Sequence, residues 1–474
     1  MPRRVDQCSG LWAVALLGLA TGCEPVDPEL ARAEWMREVL VTTDRIFIGR
    51  APALVADKYA AMADDPYAFL RGTVPWYYAD LSRPDPARPA TTFLKKPAAT
   101  AVLLIGDPHP ENCSTMATTA VSDPDWTAQP VGFVDLDAAG WGPWLLDVRR
   151  GALGMHTLAA QLSGCDGDCR RDVVVAFSDA YADTILDELP HQGAPEGTVM
   201  EELLEEAREE GPEQRRLNRY APDVGEGREL VMEPGVLEAL SRAERRLFED
   251  ALAAMADGLP AGLRVLDVAR RYGRGISSMP ALRFSAVVDR GSDDTEDDAL
   301  IDIREVLDPI PFPGLAIAAP GTFESNGQRV MRTARTVWPR PDADPLAASG
   351  CLGRQCFKSL SKHSWFQDFE RSKLIEEWNE DELSAGDLAD LGADLGAVLA
   401  RAHMRGGVVD GRNSGDAIRE DLLAGGGRDR LRSELVRDIP AEHRRLLDDH
   451  ALFIGMIDEY GPTLGARDMW EHQP

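Results

Sequence analysis

The sequence predicts an α+β protein, a largely helical chain with a smaller strand-rich part set inside it, and three observations carry that expectation. Short apolar runs at Ala101 to Ile105 and Val131 to Val134 read as buried strands. A stretch from about 264 to 345 holds alternating apolar and polar residues around glycine and acidic turns, as a hairpin does. On both sides of it apolar residues recur near helical spacing. With 474 residues, a 44% hydrophobic fraction and 10 Trp, the chain can bury a core large enough for one two-lobed domain or two smaller ones.

Taken in order, the N-terminus reads as an export signal. Arg3 and Arg4 precede an apolar stretch, Leu11 to Ala20, that closes in Leu19-Ala20-Thr21-Gly22-Cys23. Residues 1–22 therefore have the form of a lipoprotein signal peptide, with Cys23 the lipidated first residue and the lipid as the membrane anchor. The apolar stretch is too short to span a bilayer. By analogy with bacterial lipoproteins, Glu24 where an aspartate would retain the protein at the inner membrane points to the outer membrane of a Gram-negative cell, on its periplasmic or cell-surface side. Residues 23–32 read as a tether, with helical patterning from near Ala33.

Residues from about 30 to 82 read as helical, and Arg71 among them is either an anion ligand or a structural ion-pair partner. A proline-rich connection, Ser82 to Pro97, leads to the two strands, which bracket an insert from Ser114 to Pro130. Helices are expected at Asp147 to Leu162, Arg171 to Leu189 and Val236 to Met255, with Glu201 to Glu210 a solvated acidic helix face. The C-terminal part is helical, including Leu388 to His403 and Ala441 to Tyr460. Cys165 and Cys169, and Cys351 and Cys356, are near enough in sequence to close two small disulfides in an oxidising space, which would leave Cys113 unpaired; the alternative is free buried thiols, and a C-x-x-x-C zinc site lacks a neighbouring second pair or His cluster to complete it. A formal charge of −29 disfavours nucleic acid, or anionic lipid held through a basic surface.

Chemistry concentrates in two motifs. Gly106-Asp107-Pro108-His109-Pro110-Glu111-Asn112 follows the first strand, and Asp135-Leu136-Asp137 follows the second. Asp107 can accept a hydroxyl proton, while the Asn112 amide oxygen and the Asp135 carboxylate suit a hard cation, Mg²⁺ or Mn²⁺. The spacing of Asp107 and Asn112 is that of a phosphotransferase catalytic loop. The alternative is a hydrogen-bonded turn beside a solvated carboxylate pair. Further on, Gly273-Arg274-Gly275-Ile276-Ser277-Ser278 precedes the strands Leu282 to Val288 and Leu300 to Val306, joined by an acidic turn from Ser292 to Asp298. By itself this reads as an ordinary hairpin turn. His109 and His403 read as positioning or packed histidines, and neither a G-x-S-x-G elbow nor an H-E-x-x-H pair occurs.

The segments Asp65 to Gly72, Gly106 to Asn112, and Asp135 through Gly142-Pro143-Trp144-Leu145-Leu146-Asp147-Val148-Arg149-Arg150 resemble a bacterial family catalogued as domain of unknown function 2252, itself similar to the protein-kinase-like fold of aminoglycoside phosphotransferases. The resemblance implies a two-lobed kinase-like fold with Asp107 as catalytic base, Asn112 and Asp135 as ligands of Mg²⁺ or Mn²⁺, and Asp147 as a support behind the loop. It also implies that Gly273, Gly275, Ser277 and Arg304 meet a nucleotide such as ATP. In a kinase the glycine unit precedes the catalytic loop; here it follows, so the expected order is circularly permuted. Residues 33–260 would carry the catalytic loop, 261–345 would form the smaller glycine-loop lobe, and 346–474 would complete the larger lobe. Two departures stand out: Arg304 where a lysine is expected, and Arg332 near the place of its glutamate partner.

The resulting expectation is an exported, lipid-anchored, metal-dependent phosphotransferase acting on a hydroxyl acceptor. The alternative is a non-catalytic lipoprotein that binds a small molecule or a protein partner in the same cleft, which the scarcity of ATP outside the cell interior favours. Replacing Cys23 by Ser is expected to release the protein from membranes or to block its processing. Unchanged membrane fractionation together with an unchanged mature mass would refute the anchor.

Overall fold

The computed structural model describes residues 27–86, 88–95, 100–116, 131–186, 197–211, 214–225, 227–273, 275–291, 295, 298–310, 323–339, 344–362, 365–406, 408–409 and 412–471. The signal segment with Cys23, most of the expected insert and acidic turn, and Arg274 lie outside them.

Proline and acidic caps write the first helices into the sequence. These are α1 (Pro28–Thr43), α2 (Arg45–Arg50), α3 (Pro52–Asp64), α4 (Pro66–Gly72) and α5 (Val74–Ser82). Proline occupies the first or second position of α1, α3, α4 and α5, where its missing N–H would be unpaired in any case. Asp27 accepts from Glu29 N at the start of α1, so the helix begins inside the expected tether and not near Ala33. Asp65 caps α4 through the N–H groups of Tyr67 and Ala68.

Four short buried strands come next: β1 (Ala101–Leu104), β2 (Cys113–Thr115), β3 (Val131–Phe133) and β4 (Gly140–Pro143). β1 pairs antiparallel with β4, and β2 with β3, so the loops between them emerge side by side. They lead into α6 (Leu145–Ala159), buried along its whole length, then α7 (Gly167–Ile185), α8 (Thr198–Glu210) and α9 (Arg215–Tyr220).

The strand-rich part is one antiparallel sheet of β5 (Leu237–Ala239), β6 (Arg264–Arg271), β7 (Arg283–Asp289), β8 (Ala299–Glu305), β9 (Ala348–Leu352) and β10 (Gln355–Ser361), in the order β5-β6-β7-β8-β10-β9. α10 (Arg242–Ala254) intervenes between β5 and β6, and α11 (Asn326–Val337) between β8 and β9. Phe248, Phe284, Ile301, Ile303 and Phe357 form a small core between α10 and the sheet, separate from the large helical core. The helix expected over Val236 to Met255 is thus a strand and a shorter helix. Ser241 and Glu244 form a reciprocal capping box that starts α10 afresh. The sheet also runs past residue 345: the hairpin β9–β10 turns at Gly353 with φ +64°, and Cys351 faces Cys356 across it.

The remaining helices are α12 (Arg371–Asn379), α13 (Ala385–Arg405), α14 (Ser414–Gly425), α15 (Gly427–Tyr460) and α16 (Ala466–Glu471), with the two-residue strands β11 (Val408–Val409) and β12 (Arg412–Asn413) between α13 and α14. α13 lies tight on α7 because Gly396 lacks a side chain; a Cβ there would sit 2.2 Å from Phe177 O. Disulfides join Cys165 to Cys169 and Cys351 to Cys356, and Cys113 is a buried free thiol. No helix among the described residues is long and apolar enough to cross a membrane.

Candidate functional site

The site begins where β1 ends. Gly106 takes φ +85°, and a Cβ there would lie 2.2 Å from Ala138 O, so only glycine lets the chain turn this sharply against the neighbouring loop. Beneath the turn Asp147, in the first turn of α6 and fully buried, accepts from Ile105 N at 2.6 Å and Gly106 N at 2.9 Å. His403 Nε2 lies 3.1 Å from the same carboxylate, and Tyr181 OH lies 2.8 Å from His403 Nδ1. A carboxylate only accepts, so His403 donates through Nε2. Asp147 and His403 therefore hold the loop from behind and carry no reacting group.

Asp107 leaves this turn into a buried setting. Its Oδ1 accepts from Arg150 Nε at 2.8 Å, and His109 Nε2 stands 3.4 Å from Oδ2. Burial pushes the Asp107 carboxyl up to about 6, against the pull of Arg150. Burial and the nearby Arg71 and Arg150 hold His109 well below the usual imidazole range, so it is neutral near pH 7. Asn112 Nδ2 donates to Asp107 O at 2.8 Å, which commits its nitrogen and leaves the oxygen as the atom a cation would use. Arg71 is ion-paired with Glu111 at 2.6 Å on the rim.

The second loop meets the sheet. Arg304 Nη2 on β8 lies 2.7 Å from Asp135 Oδ1 and 2.8 Å from Asp137 Oδ2. Lys358 Nζ on β10 lies 2.9 Å from Asp137 and 3.7 Å from Asp135. Burial alone would raise the Asp135 carboxyl, but Arg304 and Lys358 hold it well below the usual range. Asp137, 7% exposed and salt-bridged on both sides, is not solvated, whereas the Asp135 side chain is 33% exposed and opens onto a cavity.

Sequence reasoning missed Lys358 and Arg329. Arg329 on α11 donates to Asp137 O at 2.8 Å, Ala139 O at 2.6 Å and Leu307 O at 2.9 Å, fastening the second loop to the helix. Arg332, expected to face the site, is exposed, because α11 turns Gly327, Val330, Met331 and Ala334 inward instead. Lys358 carried little sequence signal: Gln355 to Ser361 does not alternate apolar with polar residues, and it lies in the part expected to be helical.

Between the helical body and the sheet lies a cavity of about 560 Å³ whose walls include Asn112, Asp135, Gly275, Arg304 and Lys358. Asp107 is not on that wall; it stands behind it, joined through its carbonyl to Asn112. Of the glycine turn, Gly275 reaches the cavity, Gly273 and Gly275 both take positive φ, and Ser277 Oγ donates to Arg71 O, docking the turn on the end of α4. Among the described residues no group of three or more His, Cys, Asp or Glu is placed to hold a metal. One amide oxygen and one carboxylate do not cage an ion, but they are the partial set that Mg²⁺ takes when phosphate oxygens complete its shell. A nucleotide's phosphates would meet Gly275 and Arg304 on the opposite wall.

The family described as an uncharacterized protein conserved in bacteria (DUF2252) matches residues 50–456, and the chain belongs to it. No curated protein and no solved structure matches the chain. The matched span holds both the Asp107 loop and the whole six-stranded sheet.

Replacing Lys358 by Met is expected to destabilise the fold by roughly 2–3 kcal/mol in urea unfolding, less than the ~3–5 kcal/mol of a fully orphaned buried charge because Arg304 remains beside Asp137. Adding Asp137→Asn should recover part of the loss. A change under about 0.5 kcal/mol would mean that the pair contributes nothing.

Proposed function

We propose that this protein is an exported, lipid-anchored phosphotransferase of kinase-like organisation, with its parts in circularly permuted order, acting on a hydroxyl acceptor. The observation that carries this reading is the shared cavity: Asn112 and Asp135 approach it from one side, and Gly275, Arg304 and Lys358, all later in the chain, from the other. A kinase assembles its site from a glycine turn over the phosphates, a strand cation, a helix, and then a catalytic loop and a metal-binding aspartate. Here the glycine turn joins β6 to β7, Arg304 sits on the next strand, α11 follows, and the Asp107 and Asp135 loops come earlier in the chain.

In this reading Asp107 accepts the proton of the acceptor hydroxyl. A carboxyl raised to about 6 is ionised at pH 7 and a stronger base than an ordinary carboxylate. Arg150 fixes its orientation, and Asp147 with His403 fixes the loop that carries it. Arg304 and Lys358 face the phosphoryl groups, where fixed positive charge stabilises the charge that shifts during transfer. Mg²⁺ or Mn²⁺, when bound, would be held by Asn112 and Asp135 and would neutralise phosphate oxygens.

A second reading, a non-catalytic binding lipoprotein, is favoured by two observations. Asp107 stands behind the cavity wall, and Asp135 is already engaged by Arg304 and Lys358. The two readings separate on one residue. Asp107→Asn is expected to leave Mg²⁺ and phosphate binding intact in calorimetry while lowering transfer about 10²–10⁴-fold. Asp135→Asn should weaken both. Wild-type transfer should fall about tenfold per pH unit below about 6, as the base becomes protonated. Equal turnover in wild type and Asp107→Asn would remove Asp107 as the base and leave the binding reading.

A further inference from the structure

The sheet wall of the cavity is unusually rich in positive charge for a chain of formal charge −29. Seven arginines and two lysines line the cavity against six carboxylates. Three of those carboxylates have their own partners, Glu111 with Arg71, Glu210 with Arg219 and Asp135 with Arg304. Across the sheet, Arg283 on β7 stands directly opposite Arg304 on β8, and Arg304 directly opposite Lys358 on β10. Like charges in register on adjacent strands repel and weaken a sheet unless an anion lies over them. Asp135 and Asp137 cover the Arg304 and Lys358 end of this row.

The other end carries three cations around one shared carboxylate. Arg271, Arg283 and Lys362 also line the cavity, and among the described residues none of the three makes a salt bridge. All three act on one carboxylate, Asp302, which accepts a hydrogen bond from Ser285 Oγ at 2.8 Å, and Asp368 also acts on Lys362. Burial and the facing Arg304 push the Arg283 guanidinium down to about 10, and burial lowers the Lys362 ammonium, so each is a cation held at a cost. Lys358, Leu360 and Lys362 alternate onto the same face of the sheet, which carries positive charge along roughly 13 Å at ~3.3 Å per residue.

A purine ring needs an apolar slot with few polar groups. The sheet offers Leu300 and Leu360 between charged side chains; of the aromatic residues lining the cavity, Tyr220, Phe366 and Phe369, the ring of Phe366 is covered by Lys362 Nζ at 3.8 Å from its centroid. Along the sheet the wall presents cation after cation, a spacing that matches successive phosphates.

We infer that the phosphate-bearing ligand of this cavity is a linear inorganic polyphosphate, of the pyrophosphate and tripolyphosphate class, and that Arg271, Arg283 and Lys362 hold the part of it where a nucleotide would place its base. The inference rests on the reading of the cavity as a phosphoryl site and names its ligand. It also removes the need for a nucleotide supply in an exported protein. In transfer, the terminal P–O–P bond breaks as the bond from acceptor oxygen to phosphorus forms. The acceptor proton goes to Asp107, and the chain leaves one phosphate shorter.

The test is thermal shift and calorimetry on the full chain with tripolyphosphate, ATP, adenosine and sulfate at matched ionic strength, with and without Mg²⁺. Tripolyphosphate is expected to raise Tm more than ATP does, with adenosine and sulfate giving no shift. The double variant Arg283→Gln/Lys362→Gln should bind tripolyphosphate at least tenfold more weakly while its ligand-free urea unfolding stays cooperative, with Arg271 and Ser285 still holding Asp302. That second readout separates lost binding from lost folding. A larger shift with ATP than with tripolyphosphate, together with competition by adenosine, would overturn the polyphosphate assignment and leave the phosphotransferase reading standing. An equal shift with sulfate would reduce the wall to a nonspecific anion surface and overturn it as well. If no phosphate compound shifts Tm, both readings fall.

Discussion

The contact on which this architecture turns is the four-charge cluster of Arg304 and Lys358 with Asp135 and Asp137. Two cations come from adjacent strands of the sheet, and two carboxylates from a loop framed by β3 and β4 in the helical body. Desolvating four charges is costly, and their mutual attraction offsets that only with good geometry. Here Arg304 donates to both oxygens of Asp135 through Nη1 and Nη2 while Nη2 also reaches Asp137, a forked contact that a single ammonium does not make. Arg304 is therefore a tie between the helical body and the sheet, with Lys358 one strand away.

The loops on the helical side are fixed by backbone contacts more than by side-chain packing. Asp147 takes two N–H groups at the Gly106 turn, and Arg329 takes the carbonyls of Asp137 and Ala139. One buried anion thus holds the donors of the first loop, and one buried cation holds the acceptors of the second. Each satisfies groups that the tight loops could not pair internally. The result is a rigid pair of loops with Asp107 and Asp135 on the outgoing ends, the kind of placement that phosphoryl-transfer chemistry requires and that ligand binding alone also benefits from.

The cavity wall raises the opposite question, since a row of in-register cations works against the sheet that carries it. Proteins keep such strain where a ligand relieves it, and a polyanion would do so here. Set in a strongly acidic chain, the same cations focus a local positive field that draws anions to one place on the molecule.

Much of this was legible in the chain itself. The α+β class, the strand that stops at Gly106, the spacing of Asp107 and Asn112, and the two cysteine pairs all follow from local pattern, because turn chemistry, apolar periodicity and short-range spacing act over a few residues, whereas the supporting place of Asp147 came from the family resemblance. What local pattern could not decide was partnership across the fold. That Lys358 stands beside Arg304 depends on β10 pairing with β8, that Arg329 and not Arg332 faces the loop depends on how α11 packs, and that the glycine turn meets α4 depends on the docking of sheet on body. These contacts join residues far apart in sequence whose spacing carries no signal. Only the register of strands and the packing of buried faces bring them together, and those are set by the core as a whole.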